Sequence, residues 1–352
     1  MASASSPIRA GGYWPSWTFN ILPPANINLS VFTHLFYAFL QVDPSTFRLI
    51  VTDQDDRMLR AFSAAAHGHS PSVKALLSIG GSNNAASAIF AALAAAPASR
   101  AAFIQSTISV ARRYDLDGLD LDWEFPNDAA EMANLGLLVT EWREAVANDS
   151  GRPLLLTAAV RFEPTYRWGV PRSYPVANMA AALDWINVMA YDLHGSWEPN
   201  TTGLHAALYD PTGAKVSASD GVTAWVSAGM PAAKIVLGMP LYARTWRLAH
   251  PDQHGVGAPA VGMGPGPNGI LSYSQVVQFN PDNGATVIHD VNWGQAYSYA
   301  GTDWLGYDDA WTAETKVKYA RGAGISGYFF WSIGQDDAAS TVTTAAWNAW
   351  GN

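Results

Sequence analysis

The chain contains no cysteine, which excludes disulfides, thiol catalysis and thiolate-bound metal and says little about compartment. Charged residues make up only 14% of its 352 positions, and their balance is acidic, at −9. No basic cluster occurs, so the electrostatic footprint of a nucleic-acid binder is missing and a neutral or cationic ligand fits better. No run of 18 apolar residues occurs either, so no membrane span is expected. The opening MASASSPIRAGGYW lacks the apolar stretch of a signal peptide. His67 and His69 lack a partner motif and read as a solvated loop; no cofactor and no metal site are expected.

What the chain does have is apolar bulk: 49% of its residues are hydrophobic, enough for a large core, and 352 residues fit one barrel-type domain with an insertion. It carries 15 Trp and 14 Tyr, more than a core needs. A flat apolar face with a polar tip suits a cleft for ligands with apolar faces and hydroxyl edges, such as sugar rings.

Apolar runs alternate with helical patterns. Strands are predicted at 8–13, 32–40, 73–79, 117–124, 154–160, 184–191, 235–241 and 325–331. Helices are predicted at 101–112 and 128–147, the latter with Met132, Leu135, Val139, Trp142 and Val146 on one stripe; the Ala-rich 91–96 also reads as helix. Eight near-continuous apolar strands separated by helices imply parallel strands buried on both faces, hence an α/β fold of the (β/α)8 TIM-barrel type, with an open doubly wound sheet as the alternative. The rhythm breaks at 245–305, read as a small α+β insertion between strand seven and helix seven, leaving 1–244 and 306–352 as the barrel. A formal GxGxxG at Gly264, Gly266 and Gly269 is interrupted by Pro265 and Pro267 and has no predicted strand before it, which argues against dinucleotide binding.

The most informative stretch is DGLDLDWEFP, residues 117–126. In an extended strand Asp120, Asp122 and Glu124 share one face, while Leu119, Leu121, Trp123 and Phe125 share the other. At about 3.3 Å rise per residue, acids two apart start about 6–7 Å from each other. Burying such a column forces the pKa values of its members apart, which is what acid–base catalysis needs. A calcium loop would instead wrap carbonyl and side-chain oxygens around the ion through a glycine turn. Asp117 has the wrong parity for the column and reads as a structural hydrogen-bonder. The polar and aromatic residues ending the strands, Ser78 with Gly80 and Gly81, Tyr191 with Asp192, Tyr242 with Arg244, and Trp331, converge on one mouth in a barrel.

These residues carry a resemblance. DGLDLDWE fits the pattern DxxDxDxE of the family 18 glycoside hydrolases, the chitinases, and LSIGG at 77–81, MAYDLHGSW at 189–197, GMPLYARTW at 238–246, GYDD at 306–309 and GYFFW at 327–331 follow in the same order. The plant class V type is the most similar. The resemblance implies hydrolysis of β-1,4 bonds in chitin and N-acetylglucosamine oligosaccharides, endo-acting and retaining, with Glu124 as general acid. Asp122 would orient the substrate's 2-acetamido group, whose carbonyl oxygen would attack the anomeric carbon to give an oxazolinium ion. Asp120 would support Asp122 and could share its proton, with Ser78 bonding the pair. Tyr191 would bond the acetamido carbonyl. Asp192 and Arg244 would contact the sugar, Met189 and Tyr242 would line the pocket, and Trp331 would be its floor with Tyr13 and Phe39 beside it.

Trp197 would stack on the leaving-group side, whereas His194 reads as a loop histidine. Many relatives carry Trp directly after the Ser-x-Gly-Gly stretch; Ser82 and Asn83 stand here, removing a stacking face. The resemblance further implies an extracellular or vacuolar location, with transglycosylation alongside hydrolysis; a monomer is expected, and the lack of a Cys-rich chitin-binding module predicts soluble or amorphous substrate over crystalline chitin. Sequons at Asn28, Asn148 and Asn200 accord weakly with secretion. Two alternatives remain open: a lectin-like relative without turnover, which typically lacks the acid, and an endo-β-N-acetylglucosaminidase acting on N-glycans.

Overall fold

A computed structural model describes residues 8–167 and 169–351; the opening MASASSP segment lies outside the described residues. The strands are β1 (Arg9–Pro15), β2 (His34–Leu40), β3 (Lys74–Gly80), β4 (Gly118–Asp122), β5 (Leu155–Arg161), β6 (Thr165–Tyr166), β7 (Arg172–Ser173), β8 (Trp185–Met189), β9 (Ile235–Pro240), β10 (Tyr242–Leu248), β11 (Ala260–Met263), β12 (Ile270–Ser272), β13 (Thr286–Asp290), β14 (Gln295–Ala300), β15 (Asp303–Tyr307) and β16 (Gly327–Trp331). Strands β1, β2, β3, β4, β5, β8, β9 and β16 pair in parallel and close into a barrel. The predicted eight-stranded barrel is therefore the observed fold. The long helices include α1 (Asp53–Gly68), α2 (Asn84–Ala95), α3 (Pro97–Arg113) and α4 (Ala129–Asn148); a later one, Ala310–Gly322, follows the second sheet.

Local chemistry sets the boundaries. The side chain of Asp128 accepts the N–H of Glu131 and caps α4. The predicted helix at 101–112 begins earlier, at Pro97, because proline fits a first helical turn that leaves its N–H unpaired anyway. Proline also forces the residue before it out of the helical region: Ala96 sits at φ −124°, ψ 138°, dividing α2 from α3. β4 pairs only through Asp122, so the predicted strand 117–124 is shorter at both ends.

Between β9 and the helix Ala310–Gly322, β10 to β15 form an antiparallel sheet in the order β11-β10-β15-β14-β13, with β12 also on β10. Its own apolar cluster includes Leu204, Trp246, Leu248, Tyr297 and Trp304. Contrary to the sequence reading, a short strand, β11, does precede the GxGxxG stretch, but the chain then returns through β12 against β10 rather than entering a helix at once. A phosphate-binding turn needs that helix N-terminus. A fully buried ion pair, Lys316 with Asp308, ties this sheet to the barrel. Asp308 also accepts from Gln295 at 3.0 Å, and Gln295 accepts the N–H of Ala206 at 3.0 Å. Among the described residues no single helix is long and apolar enough to cross a membrane.

Candidate active site

Strand register assembles the base of the site. Ser78 on β3 and Thr157 on β5 stand level with Asp120 on β4. Their hydroxyls donate to Asp120 at 2.7 Å and 2.6 Å, and Tyr13 on β1 reaches across the barrel to donate at 2.9 Å. Asn187 on β8 donates to the Tyr13 hydroxyl at 2.8 Å. Ser78 therefore serves Asp120 alone rather than the Asp120–Asp122 pair, because three hydroxyls already occupy both oxygens of Asp120. Sequence reading missed Thr157 and Asn187; each is a lone polar residue in an otherwise apolar strand, which was the available signal.

One turn of the pleat higher, Asp122 is buried and its Oδ1 has no hydrogen-bond partner among the described residues. Burial, then the charges of Glu124 and Asp120, push its carboxyl well above the ordinary range. Asp120 is also raised by burial, but its three hydroxyl donors pull it back. The proton of this buried pair thus belongs on Asp122. Glu124 follows the strand end, half-buried, and burial followed by the charge of Asp192 pushes it up to about 7.

Two adjoining cavities share Glu124, Met189, Tyr191 and Asp192 as walls. The smaller, ≈ 110 Å³, is lined also by Tyr13, Phe39, Ser82, Asp122, Ala159, Tyr242 and Trp331. Trp331 and Phe39 stack at 5.6 Å. Tyr13 contributes to the wall but lies 1% exposed beneath it, its hydroxyl bound to Asp120. Burial and the surrounding carboxylates keep the Tyr191 hydroxyl protonated, so it remains a donor. The larger cavity, ≈ 470 Å³, adds Phe125, Arg161, Phe162, Leu193, Trp197, Glu198 and Val216. Phe125 was expected on the outer face with Trp123; pairing ends at Asp122, the alternation stops there, and Phe125 faces the cavity instead.

Arg244 and His67 take places other than those expected. Arg244 does not line either cavity: its guanidinium donates to Asp192 at 2.8 Å through Nε and lies 5.1 Å from the Trp197 ring. Tyr242 lines the smaller cavity and donates to Asp192 at 2.7 Å. Burial alone would raise Asp192, but His205 and Arg244 outweigh it and hold its carboxyl well below the usual range. Asp117 sits at the opposite end of β4 from Glu124, accepting from the Ala75 N–H at 2.9 Å and from Lys74 at 3.1 Å. His67 is not a solvated loop residue: it ends α1 and meets Asp117 at 2.7 Å. His194 pairs with Glu198 at 2.8 Å. Trp17, missed in the sequence, lies 63% exposed, 6.2 Å from Phe39 and 6.3 Å from Trp331, and extends the aromatic floor. Its signal was a second Trp four residues after Tyr13, just past the strand end. No group of three His, Asp or Glu able to hold a metal occurs among the described residues.

The charge of Asp192 beside Glu124 has a measurable consequence. If Glu124 must be protonated to act, activity is lost as pH rises through about 7. Asp192→Asn removes a charge that raises Glu124, so the basic limb of kcat/KM should move to lower pH by roughly 0.5–1 unit. A limb that stays in place would show that Asp192 does not tune Glu124.

Residues 9–336 match the family described as Glycosyl hydrolases family 18. A class V chitinase of Lotus japonicus is 44% identical over 350 residues, covering 98% of this chain and 86% of that protein. A mutant class V chitinase of Nicotiana tobaccum, solved in complex with NAG4, superposes with a TM-score of 0.92 at 39% identity, covering 99% of each chain. A chitinase-like agglutinin of Robinia pseudoacacia superposes with a TM-score of 0.88 at 39% identity, covering 97% of this chain and 99% of that one. With the acid column, the barrel and these likenesses together, the chain belongs to the glycosyl hydrolases of family 18.

Proposed function

We propose that this protein is a chitinase that cleaves β-1,4 bonds in chitin and N-acetylglucosamine oligosaccharides internally, with retention of configuration. The observation that carries the reading is Glu124, a carboxyl raised to about 7 at the junction of the two cavities, above a buried acid with an unpartnered oxygen. The sugar on the non-reducing side of the scissile bond rests on Trp331 in the smaller cavity, and the leaving group occupies the larger one against Trp197 and Phe125.

Glu124 gives its proton to the glycosidic oxygen as the bond from that oxygen to the anomeric carbon breaks. The acetamido carbonyl oxygen forms the new bond to that carbon, giving the oxazolinium ion. The proton that Asp122 holds at rest passes to Asp120 as the ring forms, so Asp122 accepts the acetamido N–H as a carboxylate and balances the positive charge; the Tyr191 hydroxyl donates to the carbonyl oxygen. Water then attacks the anomeric carbon from the side the leaving group left, the bond from that carbon to the acetamido oxygen breaks, Glu124 takes up a proton from the water, and the β-anomer is released. Capture by a second sugar hydroxyl instead of water gives transglycosylation. Met189 shapes the pocket, and Arg244 acts by holding Asp192. The segment 245–305 is read as an insertion domain on the barrel, and the protein as an extracellular or vacuolar monomer.

The test is to follow products and anomer ratio from chitin hexasaccharide, with an N-glycan in parallel. Internal cleavage with β-anomer at the new ends supports the reading; α-anomer, binding without turnover, or cleavage of the N-glycan alone overturns it. Trp17→Ala should weaken binding of the hexasaccharide by about threefold to tenfold, equivalent to about 0.7–1.4 kcal/mol, and leave the disaccharide unaffected. Equal losses on both, read by titration calorimetry, would remove Trp17 from the binding floor.

A further inference from the structure

We infer that His205 is a positioning residue for Asp192, holding that carboxylate where its charge meets Glu124. His205 lies in the loop after β8 and is 0% exposed. Its Nε2 is 3.1 Å from the carbonyl oxygen of Tyr242. A carbonyl can only accept, so this nitrogen carries hydrogen and donates. The other nitrogen, Nδ1, is buried without a hydrogen-bond partner, and it faces Oδ1 of Asp192 at 3.6 Å. A buried nitrogen left unpaired is costly, and a bare Nδ1 would present a lone pair to a carboxylate. A hydrogen on Nδ1 directed at Asp192 removes both problems, and Asp192 is the group that most favours a hydrogen there.

The surroundings support the arrangement. Asp192 comes from the loop after β8, Tyr242 and Arg244 from β10, Asp308 from the end of β15 and Lys316 from the helix Ala310–Gly322. The Tyr242 ring packs 5.0 Å from the imidazole. Burial, helped by the charge of Arg244, lowers the imidazole from its ordinary value; Asp192 foremost, and then Asp308, oppose it, so a hydrogen on Nδ1 depends on the contact with Asp192. The Asp308–Gln295–Ala206 chain of hydrogen bonds fixes the backbone next to His205, and Leu193 donates its N–H to the His205 carbonyl at 2.8 Å. The ring therefore has little freedom, and Asp192 is clamped between it and Arg244. Without the rear donor, Asp192 is held by Arg244 and Tyr242 alone and can follow them away from Glu124; Glu124 then feels less negative charge, and its proton leaves at lower pH.

Two near-isosteric variants separate this role from a merely structural one. The amide nitrogen of Asn overlays Nδ1, and that of Gln overlays Nε2. His205→Gln keeps the bond to the Tyr242 carbonyl and loses the donor toward Asp192. It should lower kcat/KM by about threefold to tenfold and move the basic limb to lower pH by roughly 0.5–1 unit. His205→Asn should recover the wild-type limb. In an Asp192→Asn background, His205→Gln should produce no further shift.

A Gln variant with the wild-type profile, an Asn variant displaced as far as Gln, or a further shift without Asp192 would each overturn the inference. Melting transitions are read alongside. If Gln does not fold, Asn decides alone, because a role confined to the Tyr242 carbonyl requires Asn to shift the limb. The inference rests on Glu124 as the acid. Full turnover in Glu124→Gln would remove both readings, whereas an inert Glu124→Gln with unmoved His205 profiles removes only this one.

Discussion

Glu124→Gln is expected to lower kcat on chitin oligosaccharides by about 10²–10⁴-fold, the usual contribution of a positioned proton donor, while affinity stays within a few-fold of the parent. Gln has the shape of Glu and can hydrogen-bond the same glycosidic oxygen, but it has no proton to give. The loss falls on the departing oxygen. A substrate whose leaving group is a good anion, such as a nitrophenyl glycoside, needs no such donor and should regain much of the rate. The measurement is kcat on both substrates with binding of the hexasaccharide by calorimetry. Full activity of the variant on the oligosaccharide would remove Glu124 from the acid's role.

Asp122→Asn is expected to cost about 10²–10³-fold in kcat, the scale set by removing one electrostatic stabiliser of a developing charge. The geometry behind this is the unpartnered Oδ1, buried directly below Glu124. A buried carboxyl oxygen without a donor is unfavourable in the resting protein, and an acetamido N–H would satisfy it. Asparagine can still accept that bond but cannot carry charge opposite the oxazolinium. Because the deficit lies in forming the ring, not in the leaving group, a nitrophenyl substrate should not rescue Asp122→Asn. Rescue equal to that of Glu124→Gln would place Asp122 with the proton donor and reject substrate assistance as drawn. The two variants together therefore divide the reaction between departure and attack.

The acid column was legible because strand alternation is local: Asp120 and Asp122 share a face whatever the rest of the chain does. The limit of that rule shows at Phe125. Alternation assigned it to the outer face, yet pairing stops at Asp122 and the ring lines the cleft. Arg244 shows a different limit. The motif placed it near the sugar, but in the fold its guanidinium is taken by Asp192. His67 illustrates the same limit away from the site, since its partner Asp117 is 50 residues distant in the chain.

Eight apolar strands set between helices already pointed to a barrel, with an open doubly wound sheet as the alternative, and the acids stood out in the chain, because both readings use periods and spacings taken over a few residues. Which groups surround those acids emerged from packing between distant parts of the chain. Thr157 and Tyr13 meet Asp120, and Asn187 meets the Tyr13 hydroxyl, through strand register and barrel closure. Trp17 meets the aromatic floor because the first strand's loop folds over the mouth. His205 meets Asp192 because a loop, a second sheet and a barrel helix converge behind it. Such contacts join residues far apart in the chain, and their distances are set by packing, which no local period records.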